Sequence, residues 1–252
     1  MSRFDIDAPQ GDSSPTDVAS KRFSSSVSTT QLPFETEALR AELARFLNHS
    51  QLFPDGVVRR LGGITWGVYA FFDYDNEPIY VGQTKESLGT RIRRHLTNQR
   101  TDAVAMNVLD PFEVHTIEVW PLPQFEGVSS AKADAVRHLN ALEAGVYKHL
   151  LLQSSLGVVL NEKDPPPATV DVQIPDSYRG RIVSAEVSRL RDHPDLRLAR
   201  RALTLAKLAQ VISERKVQLG LRRTLMAQAT RLQKLAGERL SHASEVPDSE
   251  ME

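Results

Sequence analysis

The chain has 252 residues, and its 31 Lys and Arg against 32 Asp and Glu give a formal net charge of −1. A chain of this length can bury a sizeable core, in one large domain or two small ones. It contains no cysteine, which excludes disulfides and thiolate metal sites. No run of about 18 apolar residues exists and the N-terminus lacks a signal-peptide core, so we expect a cytoplasmic protein without a membrane partner.

The first predicted elements are an arm and a helix. Residues 1–32 are rich in Ser, Thr, Asp and Gln and hold few large apolar side chains. Such a segment buries too little apolar surface to offset its ordering entropy, so we expect a disordered arm. Over residues 35–49, Leu39, Leu43 and Phe46 recur at helical spacing, which predicts an amphipathic helix.

Three strands are predicted next. Residues 64–72 and 79–82 flank an acidic turn, and Pro78 stands at a strand start, where proline is tolerated. This pattern is typical of a β-hairpin. Residues 112–120 (FEVHTIEVW) are rich in β-branched and aromatic side chains and predict a third strand. We therefore expect an α+β fold, with a small three-stranded, partly antiparallel sheet flanked by helices.

Two further helices complete the first predicted domain. Residues 87–98 begin with Ser87, a good helix cap, and continue with apolar residues at helical spacing. Residues 131–153 predict a long helix with a buried stripe. The three consecutive prolines at 165–167 break the chain, so we place the domain over residues 33–167.

A basic helical extension is predicted over residues 168–240, followed by a disordered polar tail at 241–252. Residues 181–240 contain 14 Lys and Arg against 5 Asp and Glu. This excess favours a polyanionic partner, although a solvated helix surface is an equal alternative. The apolar residues of these helices could pack within the chain or pair two copies into a homodimer.

Glu143 lies within the apolar stripe of the long helix, because Leu139, Val146 and Tyr147 are its neighbours three or four positions away. A buried carboxylate without a partner is costly, or it becomes protonated. Binding a hard divalent cation through oxygen offsets that cost. A salt bridge to an arginine such as Arg91 would offset it too, and spacing alone does not separate the two interpretations.

Arg91 and His95 are four residues apart, so they share a helix face at the edge of the core. An arginine in such a place offers a bidentate fork to phosphate oxygens. Tyr69 and Tyr80 occupy matching places on the hairpin, although each alone is an ordinary strand tyrosine. A phenol with a pKa of about 10 accepts a proton from water only when nearby cations lower that pKa.

Residues 67–69 (GVY) and 80–82 (YVG) resemble the motif that names the GIY-YIG nuclease superfamily, with valine in place of each isoleucine. The resemblance spans about residues 64–162 and is nearest to the type II restriction endonuclease branch. Later family positions follow in the same order: the helix arginine, the trailing histidine, the metal-ligand glutamate and the final asparagine correspond to Arg91, His95, Glu143 and Asn161.

The resemblance implies a one-metal phosphodiesterase site, in which the glutamate holds Mg²⁺ or Mn²⁺. It implies that Tyr69 activates the attacking water and that Tyr80 positions this water or the phosphate. Arg91 would neutralise charge on the phosphoryl oxygens, and His95 would form a hydrogen bond near the nucleophile. Asn161, which is otherwise a common turn residue, would order the network.

The implied function is a divalent-metal-dependent DNA endonuclease of a restriction or defence system. The alternatives are a DNA repair or mobile-element nuclease, and a DNA-binding or partner-docking protein with a vestigial nuclease domain. The two tyrosines, Arg91, His95, Glu143 and Asn161 are called here the six motif residues. Other basic residues are expected to contact the DNA backbone, namely Lys85, Arg93, Arg94, Arg222 and Arg223.

Overall fold

The computed structural model describes residues 3–6, 34–97, 109–161, 164–214 and 219–245. The strands within these ranges are, in chain order, β1 (Arg3–Ile6), β2 (Ser50–Leu52), β3 (Val58–Arg60), β4 (Gly67–Phe72), β5 (Pro78–Thr84), β6 (Thr116–Pro121) and β7 (Ser177–Arg181). The α-helices are α1 (Phe34–Asn48), α2 (Leu88–Leu96), α3 (Ala133–Gln153), α4 (Ala185–Arg191), α5 (Pro194–Glu214) and α6 (Leu219–Glu245).

Five strands form one sheet in the order β1-β7-β6-β4-β5, and β2 and β3 form a separate hairpin. Strand β4 pairs antiparallel with β5 and β6, β6 pairs antiparallel with β7, and β7 pairs parallel with β1. The predicted α+β fold, with its sheet flanked by helices, is confirmed. The sheet is larger than the three strands expected, because β7 lies beyond the predicted boundary at 167 and β1 lies within the predicted arm.

Each face of the sheet supports its own core, because successive strand residues point to opposite sides. On one face, called here the tyrosine face, Tyr69 packs with α1 and α2 through residues such as Phe46 and Ile92. On the other face, Val68 packs with α3 through residues such as Leu142. Helix α2 and helix α3 therefore lie on opposite sides of the β4–β5 hairpin.

Helix α2 begins as its sequence predicts. The side chain of Ser87 accepts a hydrogen bond of 3.1 Å from the backbone N–H of Thr90, which satisfies one of the free donors of the first turn. Leu88, Ile92 and Leu96 are buried and form its inward stripe. The flanking positions, including Arg91, are therefore held beside the hairpin.

The C-terminal helices are joined to the hairpin turn by buried ion pairs. Asp73 Oδ2 accepts hydrogen bonds from Arg201 Nη2 at 3.0 Å and from Arg231 Nη2 at 2.7 Å. Asp73 Oδ1 accepts the backbone N–H groups of Asp75 and Glu77, each at 2.9 Å, which orders the turn. A single carboxylate thus fixes the turn and anchors both α5 and α6.

Much of the positive charge of the extension is consumed in this way. Arg197 donates to Asp75 at 2.9 Å. Other pairs between the extension and the rest of the chain are Arg191–Glu35, Arg200–Asp110, Arg201–Glu113, Arg223–Asp164 and Lys234–Glu77. Neither interpretation of the basic excess, a polyanion site or a solvated surface, anticipated these intramolecular partners.

The predicted terminal segments are only partly described. Within the predicted arm at 1–32, Arg3–Ile6 forms a strand instead of an irregular segment, because it pairs with β7; residues 1–2 and 7–32 lie outside the described ranges. Within the predicted tail, residues 241–245 continue α6, and 246–252 lie outside the description. None of the helices in the described ranges combines the length and the apolar character needed to span a membrane.

Candidate active site

The two tyrosine motifs face each other in the hairpin. Tyr69 of β4 is directly opposite Gly82 of β5, and Phe71 is opposite Tyr80. Because the side-chain period of a strand is two, all four residues lie on the tyrosine face. The register of the hairpin therefore places the rings of Tyr69 and Tyr80 diagonally, with centroids 6.2 Å apart.

Gly82 leaves the space that the two rings occupy. A Cβ atom at this position would lie 2.6 Å from the Tyr69 hydroxyl oxygen and 2.8 Å from Cε1 of Tyr80. Both distances are shorter than real Cβ contacts allow. The glycine of the second motif is thus a packing requirement for the ring pair, a role that the sequence analysis did not assign to it.

We expect Gly82→Ala to destabilise the protein by about 1–3 kcal/mol, as overpacking of a filled site does. The new methyl group must displace the Tyr69 ring, which is fully buried and cannot swing into solvent. Chemical denaturation measures the loss. Gly63→Ala is the matched control, because a Cβ there would meet no atom within 4 Å. Equal stabilities of the two variants would contradict this account of the motif.

Arg91 is the charged group beside Tyr69. Its Nε donates a hydrogen bond of 3.3 Å to the Tyr69 hydroxyl oxygen. Burial raises the pKa of Tyr69 well above its usual value, and Arg91 opposes this only in part. Arg91 therefore lowers the pKa of Tyr69, as the sequence led us to expect of a nearby cation. Burial raises this pKa by more, so Tyr69 is a neutral phenol at neutral pH.

His95 completes an aromatic cluster with the two tyrosines. Its ring centroid lies 5.7 Å from that of Tyr69 and 5.2 Å from that of Tyr80. Phe71 packs against the same cluster, with its ring centroid 5.7 Å from Tyr80 and 6.1 Å from His95. His95 is buried rather than placed at the edge of the core, because it lies one helical turn beyond Arg91 and under the hairpin.

Glu143 approaches from the opposite side of the hairpin, on α3. Burial raises the pKa of its carboxyl group to about 7, and the nearby Arg91 guanidinium lowers it in part. No side chain in the described ranges forms a hydrogen bond or an ion pair of 4.0 Å or less with this carboxylate. The salt bridge to Arg91 considered as an alternative is therefore not formed.

A hydrogen bond between side chains fixes α3 against β5. Gln83 Nε2 donates to Asn140 Oδ1 at 2.9 Å. Asn140 is three residues before Glu143, so the two side chains share one helix face. This bond holds the Glu143 face of α3 beside the edge strand of the sheet. No local pattern in the sequence predicts this pair, because its members are 57 positions apart.

Asn161 binds the outer edge of β5. Its Oδ1 accepts from the backbone N–H of Val81 at 3.0 Å, and its Nδ2 donates to the Val81 carbonyl at 2.8 Å. The preceding Leu160 N–H donates to the Ile79 carbonyl at 2.8 Å. Asn161 thus acts on the strand that carries Tyr80, and its amide is committed to the backbone rather than to a phenol or phosphate.

The donor set fits a hard divalent cation with one protein ligand. Glu143 offers two carboxylate oxygens that no described group engages. Burial makes its ionisation costly, and a bound cation would offset that cost. The described ranges contain no cluster of three or more His, Cys, Asp and Glu side chains suited to a metal. A cation at Glu143 would therefore be completed by water and substrate oxygens, as Mg²⁺ commonly is.

The five predicted DNA contacts differ in their surroundings. Lys85, Arg93 and Arg222 are exposed. Arg94 forms a two-pronged ion pair with Glu86, with both bonds at 2.7 Å. Arg223 is paired with Asp164 at 2.8 Å, so its charge is already partly neutralised.

The geometry on both sides of the β4–β5 hairpin can be compared with known families. Residues 65–124 match the family model of the GIY-YIG catalytic domain. This match supports the GIY-YIG nuclease superfamily predicted from the motifs, and with it a nuclease function, that of a hydrolase acting on phosphodiester bonds. No curated protein and no solved structure matches the chain.

The GIY-YIG match covers β4, β5, α2 and β6, and it ends before Glu143 and Asn161. It therefore includes the aromatic cluster and Arg91. The proposed contribution of Asn161 rests on its two hydrogen bonds to Val81, and that of Glu143 on its burial and its electrostatic interaction with Arg91.

Proposed function

We propose that the chain is a divalent-metal-dependent DNA endonuclease that hydrolyses phosphodiester bonds by in-line attack of water. The observation that carries the proposal is the placement of Arg91 and Glu143 around the β4–β5 hairpin. The guanidinium bonds to Tyr69 from one side. The Glu143 carboxylate, which pairs with none of the described residues, interacts electrostatically with the guanidinium from the other side. A guanidinium and a metal-binding carboxylate are the groups that phosphoryl transfer needs.

Arg91 is proposed to bind the phosphate and to stabilise the transition state. Burial lowers the pKa of the guanidinium, but Tyr69, Tyr80 and the neighbouring acid Glu86 raise it by more, so it is charged at every working pH. Its Nη atoms form no hydrogen bond with the described residues, which leaves them for two phosphate oxygens. Such donors act most strongly on charge that develops during the reaction.

Tyr69 is proposed as the proton acceptor for the attacking water, with Tyr80 and His95 placing its ring. Because burial keeps the phenol neutral, only the small phenolate fraction can accept a proton, and Arg91 increases that fraction. Glu143 is the proposed cation ligand, and a bound Mg²⁺ or Mn²⁺ would act as a Lewis acid at the leaving oxygen. Asn161 keeps β5, and hence Tyr80, in position.

We expect Arg91→Ala to lower kcat by about 10²-fold or more, or about 3 kcal/mol, as the loss of one charge-stabilising donor does. Single-turnover cleavage at saturating protein measures the change. Arg94→Ala is the matched control on the same helix. Its guanidinium is held by Glu86, so its loss should affect DNA affinity and leave kcat nearly unchanged. A similar fall of kcat in both variants would contradict the role of Arg91.

One assay tests the proposed function as a whole. Purified protein is incubated in Mg²⁺ with plasmid, linear duplex and single-stranded DNA, and the ends of the products are sequenced. Discrete fragments with 5′-phosphate and 3′-hydroxyl ends are expected from a restriction or defence enzyme. Cleavage confined to branched DNA would favour repair instead. Binding without any cleavage would favour the vestigial domain, against which the presence of all six motif residues stands.

A homodimer remains part of the proposal, since two copies cut both strands of a symmetric site. Helices α5 and α6 pack on each other around Leu208, while Leu196 and Leu203 of α5 stay more than half exposed. This apolar surface supports pairing of two copies. Sedimentation with and without a DNA duplex tests it, and a monomer under both conditions would refute it.

A further inference from the structure

The exposed cations of the described chain that lack an acidic partner are not concentrated on the basic extension. Arginines there are mostly neutralised, as Arg197, Arg201 and Arg231 are by the hairpin turn. Two arginines near the candidate active site have no such partner. Arg40 of α1 and Arg93 of α2 form no ion pair within the described residues, and both are exposed.

A groove between α1 and α2 brings these two arginines together. It has a volume of about 460 Å³ and is lined by Arg40, Leu43, Thr90, Arg93 and Thr97. Leu43 is buried and forms its floor. The Thr97 hydroxyl donates to the Arg93 carbonyl at 2.9 Å, whereas the Thr90 hydroxyl shares a bond of 2.7 Å with Ser87 Oγ, in which Ser87 can be the donor. None of the five is acidic. The groove thus combines two guanidinium groups with the Thr90 hydroxyl group, a set that suits a phosphate and not a cation.

Contacts within the groove hold the arginines near its walls. Arg40 Nη2 donates a hydrogen bond of 3.3 Å to the Thr97 carbonyl at the end of α2. An Arg93 Nη atom lies 3.2 Å from the position that a Cβ on Gly89 would occupy, so the guanidinium folds back along α2. Each arginine keeps most of its donors for a ligand, because guanidinium has five.

The groove is one helix width from the candidate active site. Arg91 and Arg93 are two residues apart on α2, about 200° around the helix, so they lie on opposite flanks. An α-helix with its side chains is about 10–12 Å wide. This equals about three phosphates of one DNA strand, whose charges are spaced about 3.4 Å apart along the axis. A strand with its scissile phosphate at Arg91 would therefore reach the groove.

We propose that the groove between α1 and α2 binds a backbone phosphate of duplex DNA, a few nucleotides from the phosphate held by Arg91. Arg40 and Arg93 neutralise this phosphate, and Thr90 donates a hydrogen bond to it. The groove positions the duplex without contacting the bases, so it contributes affinity and not sequence preference. This inference rests on the proposed nuclease function, but it concerns binding and not chemistry.

Salt-dependent binding tests the groove. Binding of a fluorescent DNA duplex to the full chain is measured in EDTA over a series of salt concentrations, so that no cleavage occurs. We expect the double variant, Arg40→Gln with Arg93→Gln, to reduce the slope of log K against log salt by about 0.9, the value for one phosphate contact. Each single variant should lose part of this slope, because the other arginine still partly neutralises the shared phosphate, and Arg40→Lys should keep the parental slope because it keeps the charge.

Arg189→Gln is the matched control, because Arg189 is exposed on α4 and also lacks an ion pair among the described residues. Its slope should equal that of the parent. Arg93→Gln breaks no hydrogen bond of the described structure, so it gives a result even if Arg40→Gln fails to fold. An unchanged slope in Arg93→Gln, or an equal reduction in Arg189→Gln, would refute the proposal that the groove binds a phosphate.

Cleavage in Mg²⁺ separates the two proposals. If the protein cleaves DNA while both groove variants keep the parental slope, phosphate binding in the groove is refuted and the nuclease proposal stands. A chain that never cleaves, yet loses slope in Arg40→Gln and Arg93→Gln, would overturn the nuclease proposal and support the groove.

Discussion

Glu143→Gln is expected to reduce Mg²⁺-dependent cleavage by about 10³-fold or more, equivalent to about 4 kcal/mol of transition-state stabilisation. The amide keeps the shape of the side chain but loses the charge that a hard cation requires. Because Glu143 is the carboxylate that α3 places beside Arg91, no other described acid replaces it. Single-turnover cleavage at saturating Mg²⁺ measures the loss.

Asp134→Asn is the control for Glu143→Gln, since Asp134 lies on the same helix in an exposed pair with Arg137. It should cleave at the parental rate. DNA binding in EDTA should be similar in the parent and in both variants. Cleavage by Glu143→Gln within tenfold of the parent would refute the assignment of Glu143 as the cation ligand.

Glu143→Gln should also change how the stability of the protein depends on pH. Burial raises the pKa of Glu143 from 4.5 to about 7, so the folded state binds this proton more tightly than the unfolded chain does. The stability that the neutral carboxyl confers is present below about pH 4.5 and is lost as the pH rises to about 7. In the absence of divalent cations, Glu143→Gln should therefore gain stability relative to the parent over this interval. Denaturation at several pH values measures the difference.

Asp73→Ala is expected to destabilise the protein by about 3–5 kcal/mol, as breaking a buried ion pair does. The substitution leaves Arg201 and Arg231 buried without the carboxylate that they share. It also removes the acceptor of two backbone N–H groups in the hairpin turn. A loss of this size is a large fraction of the stability of an ordinary domain. Urea denaturation followed by circular dichroism measures it.

Asp195→Ala is the control for Asp73→Ala. Asp195 also pairs with an arginine, Arg239 at 2.8 Å, but both side chains are about half exposed. Exposed pairs of this kind contribute about 1 kcal/mol or less. If the two variants lost the same small amount of stability, Asp73 would not anchor α5 and α6 as the contacts indicate.

Local patterns predicted the elements that local sequence determines. The amphipathic spacing in α1 and α3, the cap at Ser87 and the turn between β4 and β5 each depend on neighbouring residues, and the structure places these elements within a few residues of their predicted bounds. The motif order predicted which side chains surround the hairpin. Tyr69, Tyr80, Arg91 and His95 could be predicted in this way because they belong to three consecutive elements, β4, β5 and α2.

Contacts between segments that are distant in the sequence could not be predicted from local patterns. Strand β7 follows the proline run that marked a boundary, and its pairing with β6 depends on tertiary packing that local propensity does not encode. The basic extension gave no sign that Asp73 and Asp75 would neutralise its arginines, because net charge does not say which residues meet. The bond from Gln83 to Asn140 joins two ordinary polar residues that no motif distinguishes.

The most direct test of the central claim is a crystal structure of the protein bound to a DNA duplex in Ca²⁺, an ion expected to occupy the site. The account predicts a phosphate with an oxygen about 2.7–3.2 Å from the Arg91 guanidinium, and an ion bound by the Glu143 carboxylate on the same phosphate. A duplex bound elsewhere, or an ion located away from Glu143, would contradict it.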